Sequence, residues 1–334
     1  MQQTRRSVLA QVLAQLPSAA AALLIPRGAR AASYPDKPIR FVVPFTPGGG
    51  ADALARISAQ FVSNRLGQQM FVDNRPGAGG NISAELVAKA NPDGYTLLEG
   101  NLAHAIAMTL YRQLRYDIER DFTPVIALGS VPFVLAVTPE LPVQSLPELL
   151  ALARSKPGDL DYASSGVGGP SHLAMVLLES LADVKLTHIP YKGASPAAQD
   201  LMAGRVQASF LTLPAAVPLL QGGRIRALAL SAGGRAQTLP DLLPDLPTIA
   251  EAGIPGYDAT TWFGVLAPRG TADDIVQTLN QAFAAAMADD GVRERLRGEG
   301  FEIMGGTPQA FAAFIHAQAA KWSTVVKAAG IAID

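Results

Sequence analysis

Hydrophobic positions along the chain change period at short intervals. Ile39, Phe41, Val42, Val43 and Phe45 form an apolar run rich in β-branched and aromatic residues, the pattern of a strand covered on both faces. Pro47 and Gly48 to Gly50 stop it. From Ala51 the apolar residues Leu54, Ile57, Phe61, Val62 and Leu66 recur at helical spacing, up to a capping Gly67. The same switch from strand through a small-residue loop to a helix recurs. Met70–Asp73 leads through Asn74 to Asn81 into a helix containing Leu86 and Val87, and Tyr95–Glu99 ends at Gly100 and Asn101 with His104 just beyond. Leu160–Ala163 enters Ser164 to Ser171 before a helix over His172–Leu181. Leu186–Pro190 enters Tyr191 to Pro196, where Ser195 is read as a cap and Pro196 as the first helical residue. Val206–Leu211, ending at Thr212, and Ile225–Leu230 are further strands.

Two stretches stand apart from this alternation. Thr123–Val137 is long, apolar and broken by Gly129 and Pro132, and Trp262–Ala267 follows a proline-rich connection. Both read as strands passing between two lobes, residues 32–131 with 261–334 and residues 132–260. The last helix, Pro308–Ala329, places Phe311, Phe314, Ile315 and Trp322 on one side, to pack on the first lobe. The expected fold class is α/β, with mainly parallel sheets flanked by helices. In such sheets ligands sit outside the carboxyl ends of the strands, so the small-residue loops would face one cleft.

Gly48 to Gly50 would lie at a helix N-terminus, where unpaired N–H groups and the positive end of the helix dipole favour an anion. A single loop of this kind is equally well a plain tight turn, and it is the repetition that favours binding. A nucleotide phosphate loop is excluded, because neither G-x-x-x-x-G-K-[ST] nor G-x-G-x-x-G is present.

The first 31 residues hold four arginines and no acid. Arg5 and Arg6 precede a mostly apolar stretch, Val8 to Ile25, and Ala29-Arg30-Ala31 fits a small-x-small cleavage site. This segment is expected to be an export signal of Tat or Sec type. Gln11, Gln15, Pro17 and Ser18 interrupt it too often for the roughly 20 apolar residues of a membrane span. Its removal leaves 23 of the 27 basic residues against 28 acidic ones, a net charge of about −5, which argues against a nucleic-acid surface. With no cysteine, disulfides and thiolate chemistry are excluded. His104, His172, His188 and His316 lack metal-ligand spacing, so no metal site is expected.

Several motifs together resemble one family. They are Tyr34-Pro35-Asp36-Lys37-Pro38, Pro47-Gly48-Gly49 with Asp52, Asn74-Arg75-Pro76-Gly77-Ala78-Gly79-Gly80, Pro92-Asp93-Gly94-Tyr95, Pro190-Tyr191-Lys192-Gly193 and Ala267-Pro268-Arg269-Gly270-Thr271. Spread over nearly the whole chain after residue 31, they are similar to those of the Bug family, periplasmic receptors of tripartite tricarboxylate transporters. The resemblance implies a two-lobed type II periplasmic-binding-protein fold, a small carboxylate-type ligand in the cleft, no cofactor, no nucleic acid, and a monomer that meets integral membrane transporter subunits. It also implies site residues. Phe45, Gly48, Gly49, Gly50 and Asp52 match the first loop, Gly79 and Gly80 the second, and Asn101 and His104 the third. Ser164, Ser165 and Gly166 match the second-lobe loop, with Tyr191 and Thr212 as further walls. Asp52 would repel an anion and is expected to cap backbone N–H groups. Two rivals are a receptor read by a sensor kinase and a hydrolase using Ser164 or Ser165, the latter lacking the G-x-S-x-G pattern.

Overall fold

The computed structural model describes residues 34–232, 243, 245–328 and 332. The expected export signal and its cleavage point near Ala31 lie outside the described residues. In chain order the elements are β1 (Ile39–Val43), α1 (Gly50–Leu66), β2 (Met70–Asn74), α2 (Asn81–Ala88), β3 (Thr96–Asn101), α3 (Leu102–Leu110), β4 (Phe122–Val131) and β5 (Phe133–Val137). There follow α4 (Leu146–Ser155), β6 (Asp161–Ser164), α5 (Pro170–Ala182), β7 (Thr187–Pro190), α6 (Ala194–Met202), β8 (Ala208–Thr212), α7 (Leu213–Gln221) and β9 (Arg226–Leu230). The chain closes with β10 (Thr261–Pro268), α8 (Asp273–Ala288), α9 (Asp290–Gly298), β11 (Glu302–Gly305) and α10 (Pro308–Ala328).

Two sheets result, one with strand order β11-β4-β10-β3-β1-β2 and one with β7-β6-β8-β5-β9. Strands joined by a helix crossover are parallel: β2-β1-β3 in the first sheet and β7-β6-β8 in the second. β4, β5 and β10 pair antiparallel with their neighbours, so both sheets are mixed. The reason is the connection. β5 follows β4 directly from the other sheet and β10 also enters from the other sheet, so neither is the second strand of a βαβ unit within its own sheet. Pro132, with no N–H to donate, divides the long stretch into β4 and β5 where the chain changes sheets.

Aromatic packing fixes the helices. Phe41 meets Phe283 of α8 edge-on at 5.9 Å, and Trp262 meets Phe311 and Phe314 of α10 at 5.7 and 5.5 Å. Gly264 of β10 lies under the Phe311 ring, where any Cβ would collide. α10 is thereby seated on the first sheet as its apolar side implied. α9 and β11 were not expected, for α9 buries only Val292 and Leu296 and its sequence is otherwise polar. Among the described residues no helix is long and apolar enough to cross a membrane.

Candidate functional site

The first loop is built by side chains behind it. Gly50 starts α1 with Gly49 as its N-cap, and no side chain caps this helix. Asp52, in the first turn, accepts the Gly48 N–H through Oδ2 (3.1 Å), the Asn74 Nδ2 donor through Oδ1 (3.0 Å), and Arg56 on both oxygens at 2.9 Å. Asn74 also donates to the Phe45 carbonyl (2.9 Å). Burial alone would raise the Asp52 pKa, but the hydrogen bonds from Arg56, Asn74 and Gly48 outweigh it and lower it below the usual carboxylate range. Asp52 therefore shapes the loop as a fixed, paired anion.

The second loop uses neutral groups. Ser164, fully buried, pairs with His188 Nε2 at 2.6 Å and accepts the Gly166 N–H (3.2 Å). His188 stacks on His172 (4.1 Å) and on Tyr162 (4.8 Å), while His172 Nδ1 accepts the Gly168 N–H (3.1 Å). Burial lowers both imidazoles, His172 to about 3, with His188 adding to the effect, and His188 to about 4. Ser165 N–H donates to Ser171 Oγ (2.9 Å) in the first turn of α5.

These loops meet. Tyr111 Oη donates to the Val167 carbonyl (2.8 Å), and Ser195 Oγ donates to the Pro47 carbonyl (2.7 Å). Ser195 was read as a cap, but Gly193, at φ +146°, is the N-cap and starts α6 at Ala194, which frees the serine to reach the other sheet's loop. Gly79 (φ +66°) lies so close to the second loop that a Cβ would stand 2.5 Å from the Val167 carbonyl.

Between the loops remains a cavity of about 40 Å³. The N-termini of four helices line it: Gly49 to Ala51 of α1, Pro170 and Ser171 of α5, Ala194 of α6, and Thr212, the N-cap of α7. None of the four has a side-chain cap; Pro170, Pro196 and Pro214 remove one first-turn N–H each from α5, α6 and α7, and the Leu213 N–H donates to the Pro132 carbonyl (3.3 Å), which leaves the remaining first-turn N–H groups to whatever lies in front of them. α2 and α8 also lack one, but they do not point into this space. Thr46, Thr212 and Thr261 line the cavity, and their hydroxyls have no protein partner. Phe45, Phe133, Phe210 and Phe263 form the apolar walls, and no charged side chain is among the lining residues.

Of the residues singled out in the sequence, Phe45, Gly49, Gly50, Ser165 and Thr212 line the cavity directly. Gly48 and Asp52 shape its first loop, and Ser164 and Gly166 its second. Asn101 caps α3 by accepting the Ala103 N–H (2.9 Å). His104 Nδ1 accepts the Asn101 N–H (3.2 Å), which leaves Nε2 to donate to the Gly80 carbonyl (3.2 Å). Burial lowers the His104 pKa to about 4, so the ring is neutral and braces the Gly79–Gly80 turn. Tyr191 is not a wall of this cavity, because its hydroxyl turns to Asp200 Oδ2 (2.6 Å). Phe133, Phe210, Thr261 and Phe263 were missed, since each reads as an ordinary core residue near a strand end. A larger groove of about 1000 Å³ near α9 sets Arg293 and Arg297 beside Glu294 and Glu302, and no helix N-termini converge there. Among the described residues no cluster of His, Cys, Asp or Glu could hold a metal ion.

Comparison with known proteins agrees with this geometry. A family model described as a tripartite tricarboxylate transporter family receptor matches residues 54–331. A UPF0065 protein from the tcbD-tcbE intergenic region of a Pseudomonas species is 38% identical over 323 residues, covering 96% of this chain and 94% of that protein. A solved structure of R. palustris Rpa4515 with adipate is similar at 44% identity and a TM-score of 0.85, over 90% of this chain and 99% of that one. MatC (Rpa3494) from Rhodopseudomonas palustris with bound malate is similar at 35% identity and a TM-score of 0.83, over 88% and 100%.

Proposed function

Because the chain belongs to the tripartite tricarboxylate transporter receptor family, we propose that it is a periplasmic receptor that captures a small carboxylate between two lobes and delivers it to membrane transporter subunits. The observation that carries this is the convergence of four uncapped helix N-termini on one cavity without a lining cation. Dipole ends and free N–H groups hold a carboxylate without a side-chain counter-charge. The partnerless hydroxyls of Thr46, Thr212 and Thr261 add neutral donors.

The cavity volume, about 40 Å³, is far below the roughly 300–1,000 Å³ of a ligand pocket. A diacid enters only if the loops part. The lobes, residues 32–131 with 261–334 and residues 132–260, would hinge at the two strand crossings, Val131 to Phe133 and the start of β10. X-ray scattering should show contraction when a ligand is added, and curves that stay superimposed would remove the hinge.

A thermal-shift panel of diacids, hydroxy acids, aromatic acids and acidic amino acids tests the ligand class. A binder at about 100 times its Kd adds roughly 2.7 kcal/mol, a shift of several degrees. If no carboxylate moves the melting temperature, the receptor reading fails. The Ser164–His188 pair at 2.6 Å is the one feature that favours a hydrolase. That hydroxyl is fully buried and tied to Gly166, and no carboxylate among the described residues orients His188. Ester turnover lost on Ser164→Ala would reverse this judgement. Cross-linking in membranes separates a transporter partner from a sensor kinase.

A further inference from the structure

Behind the first wall of the cavity lies an acid that the binding geometry does not use. Glu99 of β3 is fully buried, and neither of its carboxyl oxygens has a protein partner. Its neighbour on the same strand face is Asn101, whose Nδ2 is also buried without a partner. Across the antiparallel pair, Asn101 stands opposite Phe263 and Glu99 opposite Val265. Phe263 and Thr261 line the cavity, so Glu99 sits about one residue pair behind the wall, roughly 7 Å further along the strand.

The surroundings of Glu99 offer nothing to stabilise a charge. β10 brings Val265 opposite it, and on the other side β1 pairs Val42 with the adjacent Leu98. α1 brings Asp52, a like charge already committed to Arg56. Burial, reinforced by the Asp52 charge, pushes the Glu99 carboxyl well above the ordinary carboxylate range. A carboxyl buried this completely without a partner is favoured in its neutral form.

We propose that Glu99 sets the charge selectivity of the anion site: in its uncharged form it permits capture, and its ionisation opposes capture and favours release. This rests on the receptor reading above. An anion in front of Phe263 and a carboxylate behind it would stand on the order of 10 Å apart, across protein. At an effective dielectric constant of about 20, a unit charge at that distance changes the binding constant of a monoanion on the order of tenfold, and of a dianion by more. The linkage runs both ways. A bound anion raises the Glu99 pKa further, so above neutral pH binding takes up a proton.

The test uses adipate as probe, with calorimetry on the wild type and on Glu99→Gln, a neutral variant of the same shape. Between pH 7 and pH 9.5, where adipate stays a dianion, wild-type affinity should fall by more than about tenfold. Glu99→Gln should bind as the wild type does at pH 7, to within about twofold, and keep that affinity across the range. Calorimetric enthalpies should vary with the buffer's ionisation heat for the wild type and not for the variant. Infrared difference spectra at pH 7 should contain the carbonyl band of a protonated acid that Glu99→Gln lacks. Superimposable pH profiles, or the absence of that band, would overturn the proposal. A wild type that binds no carboxylate at any pH would instead bring down the receptor reading, and this outcome is distinct because the infrared band is read without ligand.

Discussion

The two loops that close on the cavity do the same job with opposite materials. Residues 44–52 are held by charge: Asp52 is wedged between Arg56, Asn74 and the Gly48 N–H. Residues 164–171 are held by neutral groups, a buried serine on a stack of two histidines and a tyrosine. A fixed carboxylate near an anion site costs little when an arginine cancels it, and a neutral stack costs nothing in field but only while its imidazoles stay unprotonated. The difference teaches that side-chain charge serves as scaffold on one side only, so on the proposed reading an anion would be met by backbone N–H groups on both sides.

The strongest way to break this arrangement is to keep the Gly79 turn from meeting the second loop. Gly79→Val puts a side chain against the Val167 carbonyl and Tyr111, at a φ of +66° that costs roughly 1–2 kcal/mol by itself. Adipate affinity should fall on the order of a hundredfold, about 2.7 kcal/mol, with the far-ultraviolet circular dichroism unchanged. Gly256→Ala, at a positive φ but with open space around it, serves as the control for backbone strain and should leave affinity intact. Equal losses in both variants would show that strain, not approach, is what matters.

Second in size is the acid sensitivity that the two scaffolds should divide between them. His172 and His188, held at about 3 and about 4, are neutral in the fold, while in the unfolded chain they take up protons near pH 6.5. The stability tied to this neutrality is complete above about pH 6.5 and is lost as pH falls toward 4. A loss of a few kcal/mol, or several degrees of melting temperature, is expected by pH 4.5. His172→Gln with His188→Gln should make that limb shallower, leaving the part that comes from His104, also held at about 4. Asp52, whose pKa is lowered in the fold, contributes stability above the unfolded value of about 3.9 and loses it only as pH falls further, so Asp52→Asn should alter only the more acidic limb. If the wild-type curve is flat from pH 6.5 to 4.5, the histidine stack is not what holds the second loop.

Third is the contact of Tyr111, just past α3, with the second loop. Tyr111→Phe removes a single donor to Val167, a neutral hydrogen bond worth about 1 kcal/mol, and should weaken binding roughly fivefold. An unchanged Kd would mean that closure does not draw on this contact.

How far the sequence revealed this follows from the kind of signal each residue leaves. The strand-glycine-helix switch at Pro47 to Gly50 is legible because the period changes within a few residues, and Asp52 is legible as a cap because acids belong in a first helical turn. The phenylalanine walls were not legible. Phe133 and Phe263 sit near strand ends where the chain changes sheets and Phe210 lies inside β8, and a strand covered on both faces gives no sign of which face lines the cavity. Tyr191 was placed in the wall and Ser195 as a cap, and both depend on a turn whose shape is set by Gly193 at φ +146°. Neither propensity nor spacing reports such an angle. Glu99 read only as the end of a strand.

The smallest expected effect separates the backbone account from a cationic one. Arg75 and Lys192 are exposed cations on the loops near the cleft, and Arg75 is already paired with Asp73 at 3.0 Å. An exposed pair is worth about 0–1 kcal/mol and is screened within about 8 Å at physiological salt. Three or four charge-assisted hydrogen bonds from helix N-termini, at roughly 1.5–3 kcal/mol each, reach about 5–12 kcal/mol before the association cost of at least about 4 kcal/mol. One loop alone therefore leaves little, and a micromolar Kd, about −8.2 kcal/mol, draws on both. On this account Arg75→Gln and Lys192→Gln shift adipate affinity by no more than about twofold, and salt has an equally small effect. Gly49→Val, whose branched side chain would fill the cavity at the N-cap of α1, should weaken binding at least tenfold. Calorimetry on the three variants decides between the accounts: binding abolished by the two charge removals but kept in Gly49→Val would mean that side-chain cations, not helix N-termini, hold the anion.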